Sequence, residues 1–339
     1  MVRTVAISLG LSHCEDLIEP ELSWENPSHL KKISCGGNHS LLLLEDGKLY
    51  GCGDNSQDQL DLKGDNEEDH WVGWQPLEGI YEDVTCGWEF TVVIDANNQL
   101  LARGCGLKGE LGIGEVKRSS RYTKIMNVEK GSKLFSSFQN CVVVEPYGKG
   151  SRVLGWGSNT KCQIREPKCR IVDRPHVVYV NEDVMIDYVA MGKDFILMVD
   201  VHGCIVHAQG FLPRDFCIQE WQGRPVRVSC MWSSLHIQYN GTIHSYGNGN
   251  HGQLYTAPNP LEIDSFTTGS EHGILIHNKS QIFCWGWGEH GNCGRTDGQG
   301  SINDYSNVVS PLNKIFTTDP NTKLRIYGGY ASTWIVSEC

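Results

Sequence analysis

Short apolar runs recur along this chain, separated by clusters of glycine, asparagine, aspartate and serine, and none shows the length or the periodicity of an amphipathic helix. The runs read LLLL, VVI, VVV, ILMV, LHIQ, ILI and TWIV in order, and each predicts a buried β-strand. Each is preceded by a short loop that opens on a small or sulfur-bearing residue or a tyrosine. The loops are Cys35-Gly36-Gly37-Asn38-His39, Cys86-Gly87-Trp88-Glu89-Phe90, Ser136-Ser137-Phe138-Gln139-Asn140, Met191-Gly192-Lys193-Asp194-Phe195, Cys230-Met231-Trp232-Ser233-Ser234, Thr268-Gly269-Ser270-Glu271-His272 and Tyr327-Gly328-Gly329-Tyr330-Ala331. After most runs come turn residues able to take positive φ, as in Asp46-Gly47, Asn97-Asn98, His202-Gly203 and Asn240-Gly241. A second strand follows and ends in a glycine-rich loop. The clearest copy of that end is residues 283–294, FCWGWGEHGNCG.

One unit is therefore repeated. Taking Gly36, Gly87, Ser137, Gly192, Met231, Gly269 and Gly328 as reference points, the repeat returns every 38 to 59 residues, the length of one four-stranded blade with insertions. The expected architecture is all-β, a seven-bladed β-propeller forming one domain over residues 1–339. The chain starts with a strand lacking a leading loop, residues 4–8, and finishes on a loop and one strand, residues 334–336. Pairing of these N- and C-terminal strands in one blade is expected to close the ring and remove exposed sheet edges.

Composition agrees with many short strands and tight turns: the chain of 339 residues holds 38 glycines, ten tryptophans and twelve tyrosines. The net charge of −11 disfavours nonspecific binding to nucleic acid or to an anionic membrane and points to a protein partner. The densest acidic run, Asp65, Glu67, Glu68 and Asp69, reads as a solvated loop. Fourteen cysteines without a secretory leader imply reduced thiols in the cytoplasm and nucleus, most of them acting as small buried apolar groups.

The Gly-Gly-Asn-His-Ser of residues 36–40, the Gly-Ser-Glu-His-Gly of residues 269–273 and the later loop Gly-Asn-Gly-Asn-His-Gly-Gln-Leu of residues 247–254 resemble the regulator of chromosome condensation repeats, over the whole chain. A narrower likeness lies in residues 154–168, 187–200 and 268–294, which resemble the fungal alpha-tubulin suppressor, or killer-toxin-insensitivity, propellers. That resemblance implies a non-catalytic partner of a small CSL-type zinc-binding electron carrier. It further implies a heterodimer supporting diphthamide synthesis and Elongator-dependent modification of wobble uridine in tRNA. Two loops depart from the repeat pattern, Ser8-Leu9-Gly10 and Gly210-Phe211-Leu212-Pro213.

Equivalent loops of a propeller emerge on one face, so their deviations from a bland consensus become neighbours. Those deviations are Trp88, Glu89, Phe138, Lys193, Asp194, Trp232, Glu271, His272 and Tyr330, and aromatics flanked by a few charges suit a protein-binding patch. Trp88 and Trp232 could equally cap the core between blades. Trp285 and Trp287 alternate with glycines and are expected to pack between blades, leaving Glu289 and His290 at the tip of that loop. Cys204 with His207 and His290 with Cys293 have two-residue ligand spacing, but neither pair has a second pair to complete a tetrahedral site, and His13-Cys14 lies near neither in sequence. No catalytic or phosphate-binding motif is present, and the glycine loops open no helix. The expectation is a binding protein without catalytic, metal or cofactor residues. The alternative is a guanine nucleotide exchange factor for a small GTPase, the role of the founding member of the repeat family.

Overall fold

The computed structural model describes residues 4–10, 21–24, 28–62, 70–257, 261–294 and 308–338. The acidic run at residues 65–69 and His13-Cys14 lie outside them. Nearly every element is a β-strand, in antiparallel sheets, and the chain divides into two compact units, residues 30–212 with 217–225, and residues 1–29, 213–216 and 226–339.

The larger unit holds four blades. The first is Leu30–Cys35, His39–Leu44, Leu49–Asp54 and His70–Leu77; the second is Tyr81–Cys86, Phe90–Asp95, Gln99–Cys105 and Arg118–Asn127. The third is Lys133–Ser137, Asn140–Tyr147, Gly150–Ser158 and Ile171–Asn181, and the fourth is Ile186–Met191, Phe195–Asp200 and Ile205–Gly210. The smaller unit contains a three-stranded blade, Arg227–Cys230, Ser234–Tyr239 and Thr242–Gly247, and a four-stranded one, Ile263–Thr268, His272–His277, Gln281–Trp287 and Val308–Thr317. Its remaining sheet joins Lys323–Gly328 and Ser332–Glu338 to Thr4–Gly10 and Glu21–Trp24. Six blades are thus built of consecutive strands, and one further sheet draws on both ends of the chain.

The expected uniform four-stranded blade needs correction at the fourth and fifth blades. After Gly210 the chain enters a single-turn 3-10 helix, Ile218–Trp221, anchored by the buried Trp221, instead of a fourth strand. The stretch after Gly247 forms turns in place of a strand up to residue 257. In the first segment the 3-10 helix packs instead against the outer strand Ile205–Gly210.

The second strand of each blade is buried on both faces, because blades stack against one another. Leu41 and Leu43 pack with Leu49, Leu60 and Leu77 against Val84, Cys86 and Val93 of the next blade. Phe90, Val92 and Ile94 of the second blade pack in the same way against Leu134, Val143 and Trp156 of the third. Each such fully buried side chain contributes about 1.5–3 kcal/mol. The continuous runs that predicted these strands are therefore the mark of two-sided burial.

The pairing of glycine with histidine has a steric cause. A Cβ at Gly36 would stand 2.3 Å from His39 Cε1, and one at Gly269 would stand 2.2 Å from His272 Cε1. Each imidazole fills that space and bonds the neighbouring sheet: His39 Nε2 lies 3.0 Å from Thr91 Oγ1, and His272 Nε2 lies 2.9 Å from Thr333 Oγ1. In the loops that lack histidine, Phe90 and Phe195 occupy the space beside Gly87 and Gly192.

Candidate partner-binding site

The leading loops share one backbone frame. The first residue donates its N–H to the carbonyl of the fourth, at Gly36 to His39 (2.7 Å), Gly87 to Phe90 (3.0 Å), Gly192 to Phe195 (2.9 Å), Met231 to Ser234 (2.9 Å) and Gly269 to His272 (2.8 Å). In the last loop the same bond runs from Gly329 to Ser332 (2.7 Å). The frame there begins one residue later than the reference point Gly328, so Tyr330 is a second-position residue.

Each position has one fate. Fourth-position side chains are core: His39, Phe90, Asn140, Phe195, Ser234 and His272 are all buried. Third-position carbonyls hold the loop that follows the third strand, accepting the N–H of Cys105 at Glu89 (2.8 Å), Phe211 at Asp194 (2.8 Å) and Trp287 at Glu271 (2.9 Å). Second positions carry Trp88, Phe138, Lys193, Trp232 and Tyr330, and they link neighbouring blades by backbone bonds such as Trp88 N–H to Phe138 O (3.0 Å) and Trp232 N–H to Ser270 O (2.8 Å).

In the larger unit this frame brings three candidates together. Trp88, 38% exposed, meets Phe138 edge to face with ring centroids 5.3 Å apart, and Lys193 Nζ sits 4.9 Å from the Phe138 centroid. Phe138 holds φ at 22°, a conformation that costs backbone energy and is characteristic of functional loops. Glu89 and Asp194, the adjacent third-position residues, are half-buried and flank the cluster. In the smaller unit Trp232 and Tyr330 form a second edge-to-face pair at 5.3 Å, spanning the intervening loop at Ser270, whose Oγ donates to the Tyr330 carbonyl.

Two candidates belong to the scaffold. His272 is fully buried and bonded to Thr333, so it cannot meet a partner, and burial pulls its pKa down to about 4. The Glu271 carboxylate is a strut between loops, accepting from Gln253 Nε2 (2.8 Å) and Ser233 Oγ (3.2 Å). Trp285 is buried and donates its indole N–H to the Gln253 carbonyl at 2.8 Å, while Trp287 is half-buried and stacks on His251 at 4.5 Å. Glu289 and His290 are exposed.

A pair that the repeat reading passed over stands beside the first cluster. Phe211, 54% exposed, follows directly on Gly210 and has Lys161 Nζ 5.2 Å from its ring centroid. Its signal was the departure of that loop from the glycine pattern. Among the described residues no group of His, Cys, Asp or Glu converges to hold a metal ion, every cysteine is a free thiol, and no helix is long and apolar enough to cross a membrane.

Residues 30–59, which span most of the first blade, match the regulator of chromosome condensation (RCC1) repeat. An RCC1 repeat-containing protein of Schizosaccharomyces pombe is 26% identical over 97% of this chain and 95% of its own length. The secretion-regulating guanine nucleotide exchange factor of Mus musculus is 24% identical over 84% of this chain and 73% of its own. Human WBSCR16 shares the fold with a TM-score of 0.74 at 15% identity, covering 99% of both chains. Residues 30–59 thus carry an RCC1 repeat, and the relatives and blades together give this chain the fold of an RCC1-like β-propeller.

Proposed function

We propose that this chain is a non-catalytic binding scaffold, without a metal or cofactor of its own, whose second-position side chains contact a protein partner. The observation that carries this reading is the Trp88–Phe138–Lys193 cluster, where three consecutive blades present an exposed aromatic edge and a cation on rigid loops. Aromatic anchors of this kind concentrate binding energy in protein interfaces. The likeness to the fungal alpha-tubulin suppressor propellers supplies the partner, a small CSL-type zinc-binding electron carrier bound as a heterodimer. In this reading the complex supports diphthamide synthesis and Elongator-dependent tRNA modification in the cytoplasm and nucleus, with Elongator itself a further partner and neither nucleic acid nor membrane bound directly. The sheet joining both ends of the chain then serves as a seventh blade of one propeller domain over residues 1–339.

The test is calorimetric titration of the zinc-loaded carrier into Trp88→Ala, Lys193→Glu and Trp232→Ala proteins. The expected result is a loss of at least about tenfold in affinity for the first two. Undiminished binding by all three variants removes this face from the reading. A second reading, nucleotide exchange on a small GTPase, is favoured by the similarity to the secretion-regulating guanine nucleotide exchange factor of Mus musculus. Accelerated release of a fluorescent guanine nucleotide from a GTPase panel would support it against the scaffold reading.

A further inference from the structure

The net charge of −11 conceals an opposite local field. Residues 103–174 hold 15 of the 29 lysines and arginines but 6 of the 40 acidic residues, a net of +9 inside an acidic chain. Part of this excess lies in two loops of the larger unit, residues 106–117 after the third strand of the second blade and their counterpart 159–170 in the third blade: Lys108 and Lys117 are balanced by Glu110 and Glu115 in the first, whereas Lys161, Arg165, Lys168 and Arg170 outnumber Glu166 in the second. The first loop is closed by Gly106 N–H to Lys117 O at 2.8 Å, which brings Leu107 beside Lys117 and Val116. It lies against the outer strand of the third blade: Gly114 N–H donates to Asp173 O at 2.9 Å, and a Cβ at Gly109 would stand 2.7 Å from Ile171 Cγ2. The second loop is closed in the same way by Asn159 N–H to Arg170 O at 3.2 Å, immediately before that strand begins at Ile171.

Two properties coincide on this ridge. Lys117, Lys168 and Arg170 are exposed, and so are Leu107 (60%), Val116 (47%) and Ile171 (41%). Exposed apolar groups set among cations on adjoining, hydrogen-bonded loops mark an interaction surface. A single-stranded nucleic acid would call for a row of aromatic platforms on which bases stack, and apart from Phe211 beside Lys161 the exposed apolar groups here are aliphatic.

We propose that this ridge docks an acidic protein segment that carries apolar side chains among its carboxylates. The cations steer and register the carboxylates, and Leu107, Val116 and Ile171 receive the apolar groups. This reading does not depend on the partner proposed for the Trp88 cluster.

The experiment is fluorescence anisotropy with a labelled peptide of repeating Glu-Glu-Leu, and with labelled oligouridine as the competing polyanion. The peptide should bind the full chain, more weakly as salt rises, and Lys117→Glu, Lys168→Glu and Arg170→Glu combined should weaken it by at least about tenfold. Leu107→Ser should weaken it about threefold without changing the salt dependence. Reversing Lys124, Lys130 and Lys149 makes the same change in net charge outside these loops and should leave binding within about twofold. Circular dichroism and a melting curve confirm that each variant is folded. The proposal fails if the peptide does not bind, if the control reversal weakens it as much as the ridge reversal, or if oligouridine binds more tightly than the peptide.

Discussion

The loops at residues 87–90 and 269–272 share a backbone frame and put it to opposite uses. In the first, Trp88 stands out of the frame against Phe138 while Phe90 fills the core. In the second, Ser270 ties into the last loop, Glu271 braces Ser233 and Gln253, and His272 fills the core. Position within the loop decides burial, and residue type decides only what is done with it. A histidine and a phenylalanine are both core at the fourth position, whereas a tryptophan at the second is surface.

The sharpest way to break this comparison is to truncate the core member of one loop and the surface member of the other. His272→Ala should lower unfolding stability in urea by about 3 kcal/mol, through the lost bond to Thr333 and the cavity left beside Gly269. The His272 imidazole is held neutral by burial, with its pKa depressed from 6.5 to about 4. The depressed value means that its contribution is complete above pH 6.5 and is lost as pH falls through about 4. His272→Gln should flatten that acid limb in denaturation curves recorded across the window.

Glu110 tests the loop that follows Glu89. It stands where Gln59, Gln163 and Gln253 stand in other blades, its carboxylate accepts the Lys108 N–H, and burial lifts its pKa from 4.5 to about 7. A raised acid stabilises the fold while protonated, below pH 4.5, and that stability is lost as pH rises through about 7. Glu110→Gln should therefore gain on the order of 2 kcal/mol relative to the parent at pH 8 and nothing at pH 4, as read from urea midpoints. An unchanged difference at both values would contradict the burial argument.

Trp88→Ala should shift stability by no more than about 1 kcal/mol while weakening the partner complex by about tenfold. The reverse pattern would make Trp88 a core cap. The smallest effect is expected from Ser233→Ala, which removes one of the Glu271 strut bonds and should cost about 0.5–1 kcal/mol.

Much of the fold is written in local sequence. Continuous apolar runs, glycine or asparagine at hairpin positions and the regular return of the leading loop specify strands, turns and repeats, because each depends on neighbours within one hairpin. The pairing of Thr4–Gly10 with Ser332–Glu338 was also legible, since each end carried half of a repeat. Within the candidate site, the aromatic and charged deviations could be picked out by eye, but not sorted.

Sorting them took the tertiary structure, since contacts such as Trp88 with Phe138 and His272 with Thr333 join residues far apart in the chain. The bond from Gly329 to Ser332 moves Tyr330 into the second position, a slip of one residue that the glycine pair at 328–329 leaves ambiguous. The packing of His272 against Thr333 turns a conspicuous polar residue into core. The basic excess of residues 103–174 was countable in the sequence, yet the total charge masked it, and only the apposition of two loops makes part of it a surface. The sequence by itself determined strands, turns and repeat, because hydrophobic periodicity and backbone sterics act locally. Which side chains face solvent together was decided by blade-to-blade packing, because that depends on non-local hydrogen bonds and burial.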